Sequence, residues 1–273
     1  DVDGSATELT DLTETVNAML ARLDRAFSAQ SEFLTHAAHE LKTPLAVLLG
    51  ETQRMQRARR EVAAYEDHLG EMEQELRRFA KVIDSLLMLA KARAGTRDLD
   101  ESRISANDFV TEAQERCQGL ARHREIKQQA TLAFDEESGA EPIVTGDERL
   151  LIAMVENLIR NAIRVSPVGS TVRTLVSQDD ETVQVIVRDQ GPGIPPEERD
   201  TLFTAFVSKP IDGRQTGGTG IGLAIVNSVV HLHGGTIQVT DAPDGGAEFV
   251  IRLPRADDAD SPSVETGSDD AHV

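Results

Sequence analysis

The sequence predicts two structural classes in one chain: an all-α antiparallel helical hairpin, then an α/β two-layer sandwich. Three observations carry this. Apolar residues recur at three- and four-residue spacing as far as Ala90. Past Ala94-Gly95, helical patterns mix with short runs of alternating or continuous apolar residues. The chain is 39% hydrophobic but only 3% aromatic and has no Trp, a composition suited to Leu/Ile/Val/Ala packing.

From Ala6 to about Arg60 the pattern is helical. Leu9, Leu12, Val16, Met19 and Leu23 form one run, and Leu34, Ala38, Leu41, Leu45, Leu48, Thr52 and Met55 a second. The runs do not share one heptad register near Phe27 and Gln30, as at a stutter. A polar, Arg-rich stretch from Arg57 to Glu61 marks a turn. Beyond it, Leu69, Met72, Leu76, Phe79, Ile83, Leu86 and Ala90 make a continuous heptad seam. One hairpin buries too little apolar surface alone, so a homodimer with a four-helix bundle is expected.

In the second part, helices are expected near Ser105–His123, Asp147–Val165 and Gly220–Leu232. Strands are expected at Ala130–Phe134, Thr171–Val176, Thr182–Arg188, Thr236–Thr240 and Ala247–Leu253, in one mixed or antiparallel sheet. The Gly-, Lys- and Arg-rich stretch from Phe203 to Thr219 is long enough for a lid. Domain boundaries follow at 1–27, 28–95, 96–255 and 256–273. The last of these is an acidic tail of disordered composition.

A net charge of -19 argues against nucleic acid or anionic lipid as a partner. Cys117 is the single cysteine, which excludes an intrachain disulfide and fits a reducing compartment. No apolar run approaches the length of a membrane span. The chain starts at Asp1 rather than Met, as expected of a soluble piece of a longer protein. A membrane connection would then run only through missing upstream segments.

Four motifs in order point to a nucleotide. Asn157 and Asn161 lie four apart on one helix, hence on one side of it. Their amide oxygens are hard ligands suited to Mg²⁺ shared with phosphates, and Arg164 is one turn on. Taken alone, these residues are equally a polar helix face. Next comes Asp189-Gln-Gly191-Pro-Gly193, at the end of a strand. That carboxylate can accept from an exocyclic amino group such as adenine's, and the glycines let backbone approach a flat ring. The third is Leu202-Phe203-Thr-Ala-Phe206-Val-Ser-Lys209, with Lys209 a candidate for a terminal phosphate. The fourth, Gly217-Gly218-Thr-Gly220-Ile-Gly222-Leu223, leads into a helix whose N-terminal amides suit an anion. It follows no strand and lacks a downstream ribose carboxylate, so a Rossmann fold is excluded.

Upstream, Phe33-Leu-Thr-His-Ala-Ala-His-Glu-Leu-Lys-Thr-Pro-Leu45 places His36, His39, Glu40, Thr43 and Pro44 on one amphipathic helix. With Ala38 and Leu41 in the seam, His39 faces solvent. Glu40 can orient the imidazole and take its proton, leaving a ring nitrogen to attack a γ-phosphorus. His36 is the competing acceptor. Pro44 lacks the N–H that would bond the Glu40 carbonyl, and a bend is expected there.

These motifs, in this order, resemble the ATP-binding domain of bacterial sensor histidine kinases, within the wider gyrase, MutL and chaperone ATPase family. Gly245-Gly246 with Phe249 matches that family's closing glycine motif. His-Glu-Leu-Lys-Thr-Pro is similar to the signature of its dimerisation and phosphoacceptor domain, and Ala6 to Phe27 resembles the second helix of a HAMP linker. The resemblance implies ATP and Mg²⁺ as cofactors, autophosphorylation of His39, and phosphotransfer to an aspartate of a response regulator. It implies a place at the cytoplasmic face of the inner membrane. It also implies a phosphatase activity toward that regulator, with Thr43 positioning water. Two departures stand out: Val165 replaces a common aromatic, and Arg164 a commoner lysine. An ATP-binding scaffold without phosphotransfer is the alternative. In ATPase relatives a water-activating glutamate stands at the Asn157 position; an amide cannot be that base, so transfer to a side chain is favoured over hydrolysis.

Overall fold

The computed structural model describes residues 15–17, 19–21, 24, 35, 37–39, 41–57, 62–94, 100–133, 141–206 and 220–256. His36, Glu40, residues 95–99, Lys209, Gly217 and Gly218 of the expected lid, and residues 257–273 of the tail lie outside them. Two compact units emerge: residues to Ala90 with Thr204–Ile221, and Lys91–Phe203 with Gly222–Val273.

In the first unit, α1 (41–56) runs unbroken through Pro44. The next element is α2 (Val62–Ala94). Contact between Glu51 of α1 and His68 of α2 shows that the helices pack against each other. Leu48 and Met55 of α1, and Val82, Leu86 and Leu89 of α2, are buried. The rest of the apolar pattern is not. Leu45 and Leu49 are each 57% exposed, and Leu69, Leu76 and Leu87 are 64%, 50% and 64% exposed. Each helix thus has a second apolar stripe that a single chain leaves in water.

The second unit is the expected two-layer sandwich. A five-stranded sheet has the order β2 (Lys127–Thr131), β4 (Thr171–Gln178), β5 (Thr182–Arg188), β7 (Ala247–Pro254), β6 (Thr236–Asp241). Only β2 and β4 are parallel. One face carries Val172, Val176, Val183, Val185, Val187, Phe249, Ile251 and Leu253, all buried, at the strand period of two. Against this layer pack α3 (Ala106–His123), α4 (Glu148–Val165) and α6 (Gly222–Leu232). In the α3–α4 seam Cys117 is buried, and burial pushes its thiol up to about 12, so it is inert. The β4–β5 turn is closed by Asp179, whose Oδ1 accepts from the Glu181 and Thr182 amides at 3.0 and 2.7 Å.

Three details differ from the sequence pattern. The first strand of the sheet is Lys127–Thr131 rather than Ala130–Phe134, because parallel pairing to β4 defines this polar edge and alternation does not. A separate antiparallel pair, β1 (Glu101–Ser105) with β3 (Ile143–Asp147), carries too few apolar residues to signal itself. A short α5 (Pro196–Arg199) follows the Asp189 loop.

Asp147 joins several of these parts. It is buried, caps α4 by accepting from the Leu150 amide at 3.2 Å, and receives the Lys91 ammonium at 2.7 Å. Its own amide donates to His233 Nε2 at 3.1 Å, while His233 Nδ1 carries its hydrogen toward the Val229 carbonyl at 2.8 Å. Burial pushes the Asp147 carboxyl up, but the Lys91 and Leu150 hydrogen bonds and the Lys91 charge outweigh it and hold the group below its ordinary value. A depressed carboxyl stabilises the fold above its unfolded pKa, and that stabilisation is lost as pH falls through the folded value. Lys91→Met should therefore lower stability near neutral pH by about 1–2 kcal/mol, since the ammonium is partly solvated. The deficit should shrink in acid; denaturant midpoints against pH measure it, and a pH-independent deficit contradicts the charge account.

Candidate functional site

The exposed strip of α4 carries the chemistry. Leu150–Val155, Leu158, Ile159, Ala162 and Ile163 are buried, while Glu156, Asn157, Arg160, Asn161, Arg164 and Val165 keep partial exposure. The helix period thus separates a core face from a polar strip, and the predicted Asn157, Asn161 and Arg164 share that strip. Asn157 Nδ2 donates to the Ala153 carbonyl at 2.8 Å, which assigns its donor group and leaves Oδ1 as acceptor. Oδ1 lies against the first residue of α6: a Cβ on Gly222 would stand 2.9 Å from it. The amide oxygen and a helix N-terminus thus meet there, a combination suited to a cation and an anion side by side.

Arg164 has no carboxylate partner among the described residues. Burial first, then the like charges of Arg160 and Arg124, pull its guanidinium below its ordinary value. Arg160 reaches Glu156 at 3.5 Å, and Arg124 donates to the Arg164 carbonyl at 3.0 Å. Three cations crowd one end of the strip.

At that end the Asp189 loop closes on α4. The Gln190 amide donates to Ser166 Oγ at 3.4 Å, and Gln190 Oε1 accepts from the Thr171 amide at 2.8 Å. Asp189 is 3% exposed. Its Oδ1 accepts from the Gly191 amide at 2.8 Å and the Ala247 amide at 3.0 Å. Oδ2 has no partner among the described residues. Burial raises the carboxyl's pKa, and the two backbone bonds only partly offset this. The result is a fixed carboxylate with one oxygen committed and one available.

The glycines have steric reasons. A Cβ on Gly191 would stand 2.8 Å from Val165 Cγ2, so Val165 packs where the loop must pass. Gly193 has φ +77° and lies near the Gly246 carbonyl. Gly246 has φ +91°, and a Cβ there would stand 2.3 Å from the Asp189 carbonyl oxygen. Gly220, in the first unit, has φ +68° and accepts from the Phe206 amide at 2.9 Å. Leu223 is half-buried in the first turn of α6. The structure therefore brings Asn157, Asn161, Arg164, Asp189, Gly191, Gly193 and Gly222 into one surface of the second unit. Gln190, Ser166, Arg124 and Arg160 join them without having been singled out in the sequence; Gln190 stood inside the Asp189 motif, whereas Arg124 is remote in the chain.

On the helical unit, His39 is exposed, as is Ala38, which a single chain does not bury. Thr43 Oγ1 donates to the His39 carbonyl at 3.2 Å, one turn on.

Comparison with known proteins agrees with this division. Residues 29–95 match the His Kinase A (phospho-acceptor) domain, and residues 146–257 the Histidine kinase-, DNA gyrase B-, and HSP90-like ATPase. The sensor histidine kinase CusS of Escherichia coli K12 is 35% identical over 248 residues, covering 90% of this chain and 50% of CusS. The chain thus spans about half the length of the curated relatives it matches. The structure of ShkA in complex with AMPPNP superposes with a TM-score of 0.60 at 26% identity, covering 83% of this chain and 46% of that one. That of ThkA in complex with the response regulator TrrA gives 0.65 at 21% identity, covering 85% and 64%. With the phospho-acceptor and ATPase domains in the family's order, and that identity along nine-tenths of its length, the chain belongs to the sensor histidine kinases.

Proposed function

We propose that the chain binds ATP along the exposed strip of α4 and transfers the γ-phosphoryl group to His39. The phosphoryl group then passes to an aspartate of a response regulator. The observation that carries this is Asp189, whose Oδ1 is held by two backbone amides while Oδ2 is left to accept from the adenine amino group. From Val165, beside that loop, to Asn157 is eight residues of helix, about 12 Å. That span suits a nucleotide with its base at Asp189 and its phosphates toward Asn157, Asn161 and the α6 N-terminus. Arg164 supplies positive charge along the way, and Lys209 and Gly218 belong to the same proposal from the lid.

Asn157 Oδ1, with its amide nitrogen already committed, and Asn161, whose side chain has no partner among the described residues, fit a hard cation. They would hold Mg²⁺, which when bound neutralises phosphate charge and draws electron density from the transferring group. His39 offers an exposed imidazole as nucleophile, and Glu40 is proposed to orient it and take its proton. Thr43, one turn beyond, is proposed to position water when the phosphorylated regulator is hydrolysed. Attachment below a bacterial inner membrane, through upstream segments, is part of the same proposal. ThkA's complex with a response regulator supports the choice of partner class.

The protein is proposed to act as a homodimer. Leu69 and Leu76, a heptad apart, and Leu87 form an exposed stripe on α2, with Leu45 and Leu49 exposed on α1. Leu76→Glu should shift the mass in light scattering from dimer to monomer; an unchanged mass removes this seam from the interface.

The kinase assignment is tested by incubation with [γ-³²P]ATP. The parent should acquire an acid-labile, base-stable label, and His39→Gln should acquire none while binding ATP normally. A parent that binds ATP and takes no label is a scaffold. Label that persists in His39→Gln moves the acceptor elsewhere, His36 first.

A further inference from the structure

We propose that Glu51, His68 and Glu71 form a binding site for a Zn²⁺-class divalent transition metal that ties α1 to α2. This site is independent of nucleotide and of the phosphoryl acceptor. His68 is 7% exposed, an unusual burial for an imidazole on a helical hairpin. Its Nδ1 points between two carboxylates, 3.4 Å from Glu51 Oε2 and 3.6 Å from Glu71 Oε2. Both distances exceed an ordinary N–H···O bond. They match the spacing of ligand atoms around a tetrahedral Zn²⁺, where bonds of about 2.0–2.1 Å separate neighbouring donors by about 3.3 Å. All three ligand atoms fall within 4.8 Å of one another.

The chemistry selects the ion. One imidazole and two carboxylates are a borderline donor set that suits Zn²⁺, with water completing the tetrahedron. Mg²⁺ prefers an octahedron of oxygens and keeps its waters, so it fits poorly. His68 and Glu71 stand three apart on α2, while Glu51 comes from α1, so an ion here is a cross-link between helices. Arg54 reaches only the other oxygen of Glu51, Oε1, at 3.6 Å, and leaves Oε2 free to ligate. His68 Nε2 is buried without a hydrogen-bond partner among the described residues. Nδ1, by contrast, faces the carboxylates and is the ligating atom.

The test is calorimetric titration of the chelator-stripped, full 273-residue chain with ZnCl₂, with thermal unfolding alongside. The parent should bind one Zn²⁺ per chain at this site and unfold at a higher midpoint with the metal than without. His68→Gln should lose the site. Glu71 is 70% exposed, so Glu71→Gln leaves packing intact and should weaken binding about tenfold or more. Titrations of both variants that match the parent's, or a parent that takes up no Zn²⁺, overturn the proposal. His39→Gln should retain the site, and loss of Zn²⁺ there would reassign it to the exposed histidine.

Discussion

Asp189→Asn should weaken ATP binding about a hundredfold while leaving the fold intact. The geometry leaves the amide no good orientation. With its oxygen toward the Gly191 and Ala247 amides, the new NH₂ group stands where Oδ2 was and, in the proposed pose, meets the adenine amino group donor against donor. Flipped, it faces two backbone N–H groups instead. Losing a charged hydrogen bond and leaving a donor unpaired costs roughly 3 kcal/mol, which is about two powers of ten in affinity. Titration with a fluorescent ATP analogue reads it, and an affinity within a few-fold of the parent removes Asp189 from base recognition. The carboxyl also sets a pH signature. Because burial raises its pKa, it protonates above the ordinary carboxylate range, and ATP affinity should start to fall there. For stability the sign is opposite: a carboxyl raised in the folded state favours folding as pH falls through that value. Binding lost in mild acid from a still-folded protein is the expected pattern.

Much of this site was legible in the sequence because its residues are local. Asn157, Asn161 and Arg164 follow the period of one helix, and Asp189, Gly191 and Gly193 sit within five residues at a strand end. Spacing alone therefore puts each set on one surface. Relations between segments were not legible. That Asp189 would spend one oxygen on the Ala247 amide depends on β5 pairing with β7, a register no local pattern announces. The Arg124 charge next to Arg164, and the Lys91–Asp147 pair, likewise join residues 40 and 56 apart in the chain. In the helical unit the heptad seam marks the right helix, but nothing in the sequence marks the burial of His68, which lies outside the apolar series. The strand Lys127–Thr131 has one apolar residue, Ala130, so its place in the sheet comes from pairing with β4 and was mislocated by three residues.

The Gly245-Gly246 pair separates backbone strain from steric exclusion. Both residues have positive φ, +86° and +91°, so alanine at either incurs left-handed strain of about 1–2 kcal/mol. Around Gly245 there is nothing within 4 Å of a built Cβ. At Gly246 the same atom meets the Asp189 carbonyl oxygen at 2.3 Å, its carbon at 2.7 Å and the carboxylate Oδ1 at 2.7 Å. Those are two backbone atoms and a side chain pinned by hydrogen bonds, so no flexible end can swing away. Accommodating the methyl must push the Asp189 strand end off β7, breaking the Ala247 bonds to the Asp189 amide and carboxylate. Gly245→Ala should therefore lower the melting midpoint by a few degrees and leave ATP binding near normal. Gly246→Ala should cost about 3–5 kcal/mol, on the order of ten degrees for a domain of this size, and abolish ATP binding. Equal midpoints and equal affinities for the two variants would mean that strain alone governs the turn. Binding lost only at Gly246 means that the turn is built around the position of the Asp189 carboxylate.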